Sequence, residues 1–360
     1  MSRIRPLDDA TVARIAAGEV IDRPAAVVRE LLDNGVDAGA TRIDIELEAG
    51  GADLIRVVDD GHGIHPDDLR LAFASHATSK LRTADDLVTV GTLGFRGEAL
   101  ASVGGVARVV LQSRRPDRPH GAEIRCDGGE LSAAKPWNGP PGTRVEVRHL
   151  FAHVPARRKF LKAPGTELQH VCEAVTRLAL ARPTLHLTLR HNGKLVWEIP
   201  PLAGLADRVG LFFGREVRDA LLEVDSGPGP VRLHGLVADP GCDRGTAKLQ
   251  HFFVNGRWFR DRSLGHALQE AYRGLLMVGR HPVGVLFLAV PPEAVDVNVH
   301  PAKTEVRFRE PSLVFSLVRG VVKARLQKAD LVPRMTAPAA EVIRPINPVP
   351  PPVNDSASRP

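Results

Sequence analysis

A chain of 360 residues with 43% apolar and 25% charged residues has the composition of an ordinary folded protein, and its length favours two domains over one core. Three widely spaced cysteines, Cys126, Cys172 and Cys242, exclude a disulfide framework and a Cys-x-x-Cys zinc site, and no signal-like or membrane-length apolar run is present, so a soluble cytoplasmic protein is expected. The formal charge of +6 suits a polyanionic partner without demanding one.

In chain order, a first short helix is expected over 8–17, capped by Asp8 or Asp9 and apolar at Val12, Ile15 and Ala16. Residues 24–40, PAAVVRELLDNGVDAGA, predict a longer helix with Pro24 at its start and Gly39 at its stop. Val27, Val28, Leu31, Leu32 and Val36 form its apolar stripe, while Glu30, Asn34 and Asp37, spaced i, i+4 and i+7, share the other face. Such a stripe is either a solvated face or a site. Strands follow at 41–47 and 54–58, the second leaving into Asp59-Asp60-Gly61-His62-Gly63, where glycines let backbone approach something closely. A short helix over 66–74 and a mobile stretch over 75–92 precede Gly91-Thr92-Leu93-Gly94-Phe95-Arg96-Gly97-Glu98-Ala99-Leu100. That glycine-punctuated entry to a helix leaves N–H groups free to hold phosphate. Strands at 107–113, 122–126 and 143–148, with helices covering one side, predict a two-layer α/β sandwich.

Residues 151–161, FAHVPARRKFL, place Arg157, Arg158 and Lys159 in succession, a solvated run or a phosphate contact. A helix over 166–181 and a hairpin turning at Asn192-Gly193 complete a first domain of residues 1–204, with Pro200-Pro201 near its exit. A second domain, 205–331, is expected to hold strands at 221–224, 231–238 and 249–254, the last closed by Asn255-Gly256. A helix over 263–276 and strands at 283–290 and 306–308 follow. Arg257, Arg260 and Arg262, interleaved with Trp258 and Phe259, are either contacts for a nucleic-acid backbone, DNA included, or solvated arginines beside partly buried aromatics. The proline-rich tail 332–360 reads as an extended linker.

Taken together and in this order, these motifs resemble the GHKL ATPases. Glu30 and Asn34 match the first motif of that superfamily, Asp59-x-Gly61-x-Gly63 the second, Gly94 to Gly97 the third and Gly142-Thr143 the fourth. Within it, the chain is similar to the MutL family over about residues 5 to 330. The likeness is carried by Ala16-Ala17-Gly18-Glu19-Val20, Asp37-Ala38-Gly39-Ala40-Thr41, His76-Ala77-Thr78-Ser79-Lys80, Pro155 to Leu161 and Asp296-Val297-Asn298-Val299-His300-Pro301-Ala302-Lys303. Two departures stand out. Ala152-His153-Val154 replaces the usual Tyr-Asn-Thr, and Gly35 replaces a serine, which suggests a looser site helix because glycine costs about 1 kcal/mol in a helix.

The resemblance implies an α+β fold: a GHKL (Bergerat) ATPase domain followed by a ribosomal-S5-like α/β domain. It implies ATP and Mg²⁺ as cofactors, with Glu30 as general base and Asn34 on the metal. Asp59 would accept the adenine amino group, with Asp37, Ala38, Gly61, Gly63 and Thr143 around the base. Thr78, Ser79 and Lys80 of a lid, and Gly94, Phe95, Arg96, Gly97, Glu98, Ala99 and Leu100, would hold the phosphates. Lys303 would reach the γ-phosphate from the second domain, making domain orientation depend on nucleotide state. It also implies mismatch repair in the bacterial cytoplasm at the nucleoid. The implied partners are DNA, the recognition protein MutS, downstream repair enzymes and a second copy of the chain recruited by ATP. The chain then reads as a fragment lacking a C-terminal dimerisation domain. Another GHKL ATPase, or a nucleotide-binding DNA scaffold without significant turnover, are the alternatives.

Overall fold

The computed structural model describes residues 21–74, 77, 98–296, 299 and 305–329. The helix expected over 8–17, all but Ala77 of the stretch 75–92, and the tail from 332 lie outside the described residues. Helix α1 (Pro24–Asp37) begins on its proline and buries Val27, Val28, Leu31 and Leu32. Strands β1 (Arg42–Glu48) and β2 (Leu54–Asp59) pair antiparallel, with Ile43 opposite Asp59. Alternation does the sorting: Ile43, Ile45 and Leu47 are buried while Arg42 and Glu48 are exposed. The segment after β2 forms two 3₁₀ turns, Pro66–Asp68 and Leu71–Phe73, in place of the short helix expected over 66–74. So short a run does not repay the cost of nucleating an α-helix.

Next come α2 (Ala99–Val106), β3 (Arg108–Arg114), β4 (Gly121–Asp127), β5 (Glu130–Leu131), β6 (Lys135–Trp137) and β7 (Gly142–Arg148). The short α3 (Pro155–Arg158) and long α4 (Pro164–Ala181) lead to β8 (His186–His191) and β9 (Lys194–Ile199). Asn192 (φ 50°) and Gly193 (φ 75°) both turn left-handed between these last two, as a tight hairpin requires. The strands form one sheet in the order β5-β4-β3-β7-β2-β1-β8-β9, with β6 beside β4. Only β1 and β8 run parallel among them. Apolar residues of α1, α2 and α4 pack with the inward strand residues into one core, giving the two-layer sandwich. The opposite face is charged. There burial works against the Glu146 carboxylate, yet Arg56 (2.9 Å), Arg148 (2.6 Å) and Arg144 (3.1 Å) hold it down at about 2.

The remaining elements are α5 (Leu205–Phe213), α6 (Arg215–Asp219), β10 (Leu221–Asp225), β11 (Arg232–Ala238), β12 (Gln250–Val254), β13 (Arg257–Phe259), α7 (Arg262–Ala271), β14 (Gly284–Ala289), β15 (Val295–Asp296), β16 (Arg307–Phe308) and α8 (Pro311–Lys328). A five-stranded sheet runs β10-β11-β14-β12-β13, and β15 pairs with β16. Helices α7 and α8 pack on one face with Leu233, Phe252 and Leu286. The other face meets Leu180 of α4, Val209 of α5 and Val217 of α6 through Leu236, Phe253 and Val285. Four helices go beyond the sequence reading: α3, α5, α6 and α8. The last buries Val314, Val318, Val322 and Leu326 at four-residue intervals, a helical signal present in the sequence. Helix α7 stops at Ala271 and does not reach 276. Tyr272, buried and donating to the Ala238 carbonyl, anchors the turn that follows.

The two sheets are joined around a buried charge. Arg208 of α5 is fully buried and donates to the carbonyls of Pro183 and Leu185, the latter at 3.1 Å, in the connection between α4 and β8. Arg208→Ala takes the guanidinium donor from both carbonyls inside the joint and leaves Pro183 with the Leu202 N–H at 2.9 Å. The unfolding free energy should fall by about 2–4 kcal/mol, which urea denaturation measures.

Candidate functional site

The two carboxylates that end β2 take different partners. Asp60 accepts from the Thr41 N–H (2.7 Å), the Arg42 N–H (2.9 Å) and the Thr41 hydroxyl (2.5 Å). It thereby closes the connection from α1 into β1. Asp59 faces the opposite way, with Oδ1 accepting from the Gly61 N–H at 3.0 Å and the Thr143 N–H as a further donor. Burial pushes its carboxyl up to about 6, against the pull of those bonds.

Strand register builds the wall behind it. Asp59 lies opposite Thr143 on β7, and Thr143 lies opposite Ser113 on β3. Ser113 is fully buried; its hydroxyl donates to the Gly142 carbonyl (2.9 Å), accepts from the Ile64 N–H (2.8 Å) and sits 3.0 Å from the Thr143 hydroxyl. One side chain thus ties the loop carrying Gly63 to the strand carrying Thr143. The sequence reading missed it, although a serine at an inward position of a strand was the available signal. Gly142 is required by the approach of the chain: at φ 116° an added Cβ would lie 2.0 Å from the Asp59 carbonyl oxygen.

Helix α1 supplies the facing wall. Glu30 is 7% exposed despite its charge, with Oε1 3.6 Å from Nη2 of Arg29. Asn34 and Asp37 are half-buried on the same stripe. The helix end is fastened to the β2 loop because the Ala38 carbonyl accepts from the His62 N–H at 2.9 Å. Gly35 has a different consequence from the looseness expected of it. It is buried, and an added Cβ would meet Ile43 Cδ1 at 2.9 Å and Asp59 Cβ at 3.3 Å, so glycine lets the helix close on the sheet beside Asp59.

The fold therefore brings together Ala38 just past α1, Asp59 at the end of β2, Gly61 and Gly63 after it, and Thr143 of β7, with Asp37 and Asn34 at that end of α1 and Glu30 one turn further along the helix. Glu98, Ala99 and Leu100 stand at the start of α2, which packs on α1. Thr78, Ser79, Lys80, Gly94, Phe95, Arg96, Gly97 and Lys303 lie outside the described residues. Among the described residues, no three His, Cys, Asp or Glu side chains gather to hold a metal ion. An amide such as Asn34 beside a substrate's own phosphates suits Mg²⁺, which takes few protein ligands.

The cations do not form one surface. Arg158 and Lys159 are exposed, though Arg158 is 3.5 Å from Asp53, while Arg157 is half-buried and donates to the Ile21 carbonyl at 3.4 Å. Arg260 and Arg262 are exposed. Arg257 departs from the grouping made in sequence. It is half-buried, and the charges that act on it are Asp33, Glu30, Asp37 and Arg29, all on α1. It is the first residue after the Asn255-Gly256 turn, paired with Val254.

Residues 22–144 match the family model described as histidine kinase-, DNA gyrase B- and HSP90-like ATPase. Residues 209–327 match that described as DNA mismatch repair protein, C-terminal domain. The DNA mismatch repair protein MutL of Xanthomonas campestris pv. campestris is 52% identical over 316 residues, covering 88% of this chain and 51% of its own. The chain thus spans about half the length of the curated relatives it matches. A solved N-terminal domain of a DNA repair protein shares the fold at TM-score 0.75 and 24% identity, over 88% of this chain and 98% of its own. The Aquifex aeolicus MutL ATPase domain, solved with ADP, aligns at TM-score 0.59 and 28% identity, over 83% and 98%. The fold is thus a GHKL ATPase domain followed by the mismatch-repair C-terminal domain.

Asp59 yields a pH prediction. Its folded carboxyl holds a proton to higher pH than an unfolded aspartate, so charging it opposes folding; the penalty is absent below about pH 4 and complete above about pH 6. Asp59→Asn should therefore be more stable than the parent at pH 8, by about 1–3 kcal/mol. The gain should vanish at pH 4, which denaturant melts at the two pH values check.

Proposed function

From the premise that this chain belongs to the MutL family, whose curated members it matches over about half their length, we propose that it is a DNA mismatch-repair ATPase. It binds ATP with Mg²⁺ and hydrolyses it slowly, and nucleotide state controls dimerisation and DNA binding. One observation supports the reading: Glu30 is buried on α1 with Asn34 one turn later, and the adjoining Gly35 lies against Asp59, which is held by the Gly61 and Thr143 N–H groups.

The residues divide the work by their chemistry. Asp59, an acceptor with its N–H partners already in place, takes the exocyclic amino group of adenine, with Gly61, Gly63, Thr143, Asp37 and Ala38 around the base. Asn34 offers a neutral oxygen to Mg²⁺, and the ion supplies charge neutralisation of the phosphates when bound. Glu30 orients the attacking water and takes its proton at a carboxylate oxygen; its burial keeps other water from competing for that position. The start of α2 and the segments around Thr78 to Lys80 and Gly94 to Gly97 donate to the phosphates. Lys303 touches the γ-phosphate that ATP has and ADP lacks, so the second domain follows nucleotide state and ATP favours pairing with a second copy.

DNA binds through its backbone at Arg260 and Arg262 and at Arg157, Arg158 and Lys159, with little sequence preference. A mismatch-recognition protein of the MutS type and downstream repair enzymes are the protein partners, met at the nucleoid in the bacterial cytoplasm.

Two sets of variants test this. Glu30→Ala should lose turnover by about 10²-fold or more while still binding ATP. Asn34→Ala should weaken Mg²⁺-nucleotide binding itself. Single-turnover hydrolysis beside equilibrium binding separates the two, and wild-type hydrolysis by Glu30→Ala would remove the base assignment. For DNA, Arg262→Glu should lower affinity and flatten the salt dependence by about one to two units in log–log slope. Fluorescence anisotropy with a duplex oligonucleotide across a salt series measures both.

A further inference from the structure

The hairpin of β12 and β13 projects from the second sheet onto α4, which packs along the helix that carries Glu30. Asn255 (φ 48°) and Gly256 (φ 81°) form its two-residue turn, and Arg257 is the first residue after it, paired with Val254. Both neighbours of Arg257 lie against α4 or the residue that caps it. Gly256 sits against Arg182, whose Nη1 and Nη2 would be 3.3 Å from an added Cβ. Trp258 lies under Arg177, whose guanidinium carbon is 3.6 Å from the ring centroid. Helix α4 in turn packs along α1. Held on both sides, Arg257 is half-buried and turned toward the acidic side of α1, among Asp33, Glu30 and Asp37. Burial lowers its affinity for the proton by more than Asp33, Glu30 and Asp37 raise it, but a guanidinium is basic enough to stay charged there.

A carboxylate as buried as Glu30 needs cationic compensation to remain ionised and fixed. Arg29, 3.6 Å away on the same helix, supplies part of it. We propose that Arg257 is a positioning residue for hydrolysis: it reaches from the second sheet to hold the carboxylate of Glu30, so that the placement of that sheet sets the competence of the base. This rests on reading Glu30 as the general base. The same short segment then faces two ways, with Arg257 inward and Arg260 and Arg262 outward and exposed. A polyanion bound on the outer pair bears on the hydrolytic site through a few residues of backbone.

The test compares steady-state ATP hydrolysis by the whole chain with Arg257→Gln, Arg257→Lys and Glu30→Gln, each checked for a wild-type thermal midpoint. Arg257→Gln should lower kcat about tenfold or more while KM for ATP stays within about twofold, since the arginine acts through Glu30 and not on the nucleotide. Arg257→Lys, which keeps the charge, should recover most of the loss and also serves if the glutamine variant does not fold. Duplex DNA affinity should be unchanged by Arg257→Gln, whereas an arginine acting as a DNA contact would lose it. Wild-type kcat in Arg257→Gln, with Glu30→Gln inactive, would overturn this inference alone. Wild-type hydrolysis by Glu30→Gln would overturn the base assignment and this inference with it. An equal loss in the lysine and glutamine variants, both folded, would also overturn it, because charge would not be what matters.

Discussion

Everything about this site depends on one carboxylate being taken out of water and held in place at the end of a strand. Asp59 is buried enough that its carboxyl is pushed up to about 6, and it remains there because the Gly61 and Thr143 N–H groups point at it. The Gly61 donor is local, and the Thr143 donor is available because β2 and β7 are paired in the register that sets Asp59 opposite Thr143. That register is fixed in turn by the inward alternation of Ile55 and Val57, since a slip of one residue would turn the apolar set outward. The energetic cost of burying the acid is thus met by the packing of the sheet as a whole.

The same constraint explains why α1 sits so close to the sheet. Gly35 removes the side chain that would otherwise separate them, and the Ala38 carbonyl takes the His62 N–H. The helix brings Glu30 and Asn34 with it, one turn apart on the face turned from the core. A polar stripe that would otherwise be solvated becomes a wall of a site. Asp60, the neighbour of Asp59, shows how differently two adjacent acids are used: it is spent on Thr41 and Arg42 to close the loop between helix and strand.

The second sheet is part of this arrangement. Leu236, Phe253 and Val285 pack against α4 and α5, and Arg208 bonds back to carbonyls of the first sheet's connections. Packing of this kind transmits a shift from one element to another because close-packed interiors resist gradual deformation. The arginines after the Asn255-Gly256 turn illustrate it. Identical in chemistry and nearly adjacent in sequence, they are parted by the fold into one that meets the acids of α1 and two that meet solvent.

Much of this was open to reading in the residues themselves. Alternating apolar residues placed β1, β2, β3, β4 and β7 to within a residue or two, and Pro24 with the apolar stripe placed α1. The polar stripe of Glu30, Asn34 and Asp37 and the glycines around Asp59 marked the candidate site, because local period and turn chemistry are properties of neighbouring residues. The rest was decided by contacts between segments far apart in the chain. Ser113 acts through Ile64, Gly142 and Thr143, which only strand order brings to it. Gly35 read as a weak helix position until Ile43 and Asp59 were seen against it, and Arg257, grouped in sequence with Arg260 and Arg262, is half-buried where the acids of α1 act on it. Sequence determines which face of an element is apolar and where the chain can turn; which polar groups meet across the gaps is set by packing, because burial and pairing energies depend on neighbours that local pattern does not name.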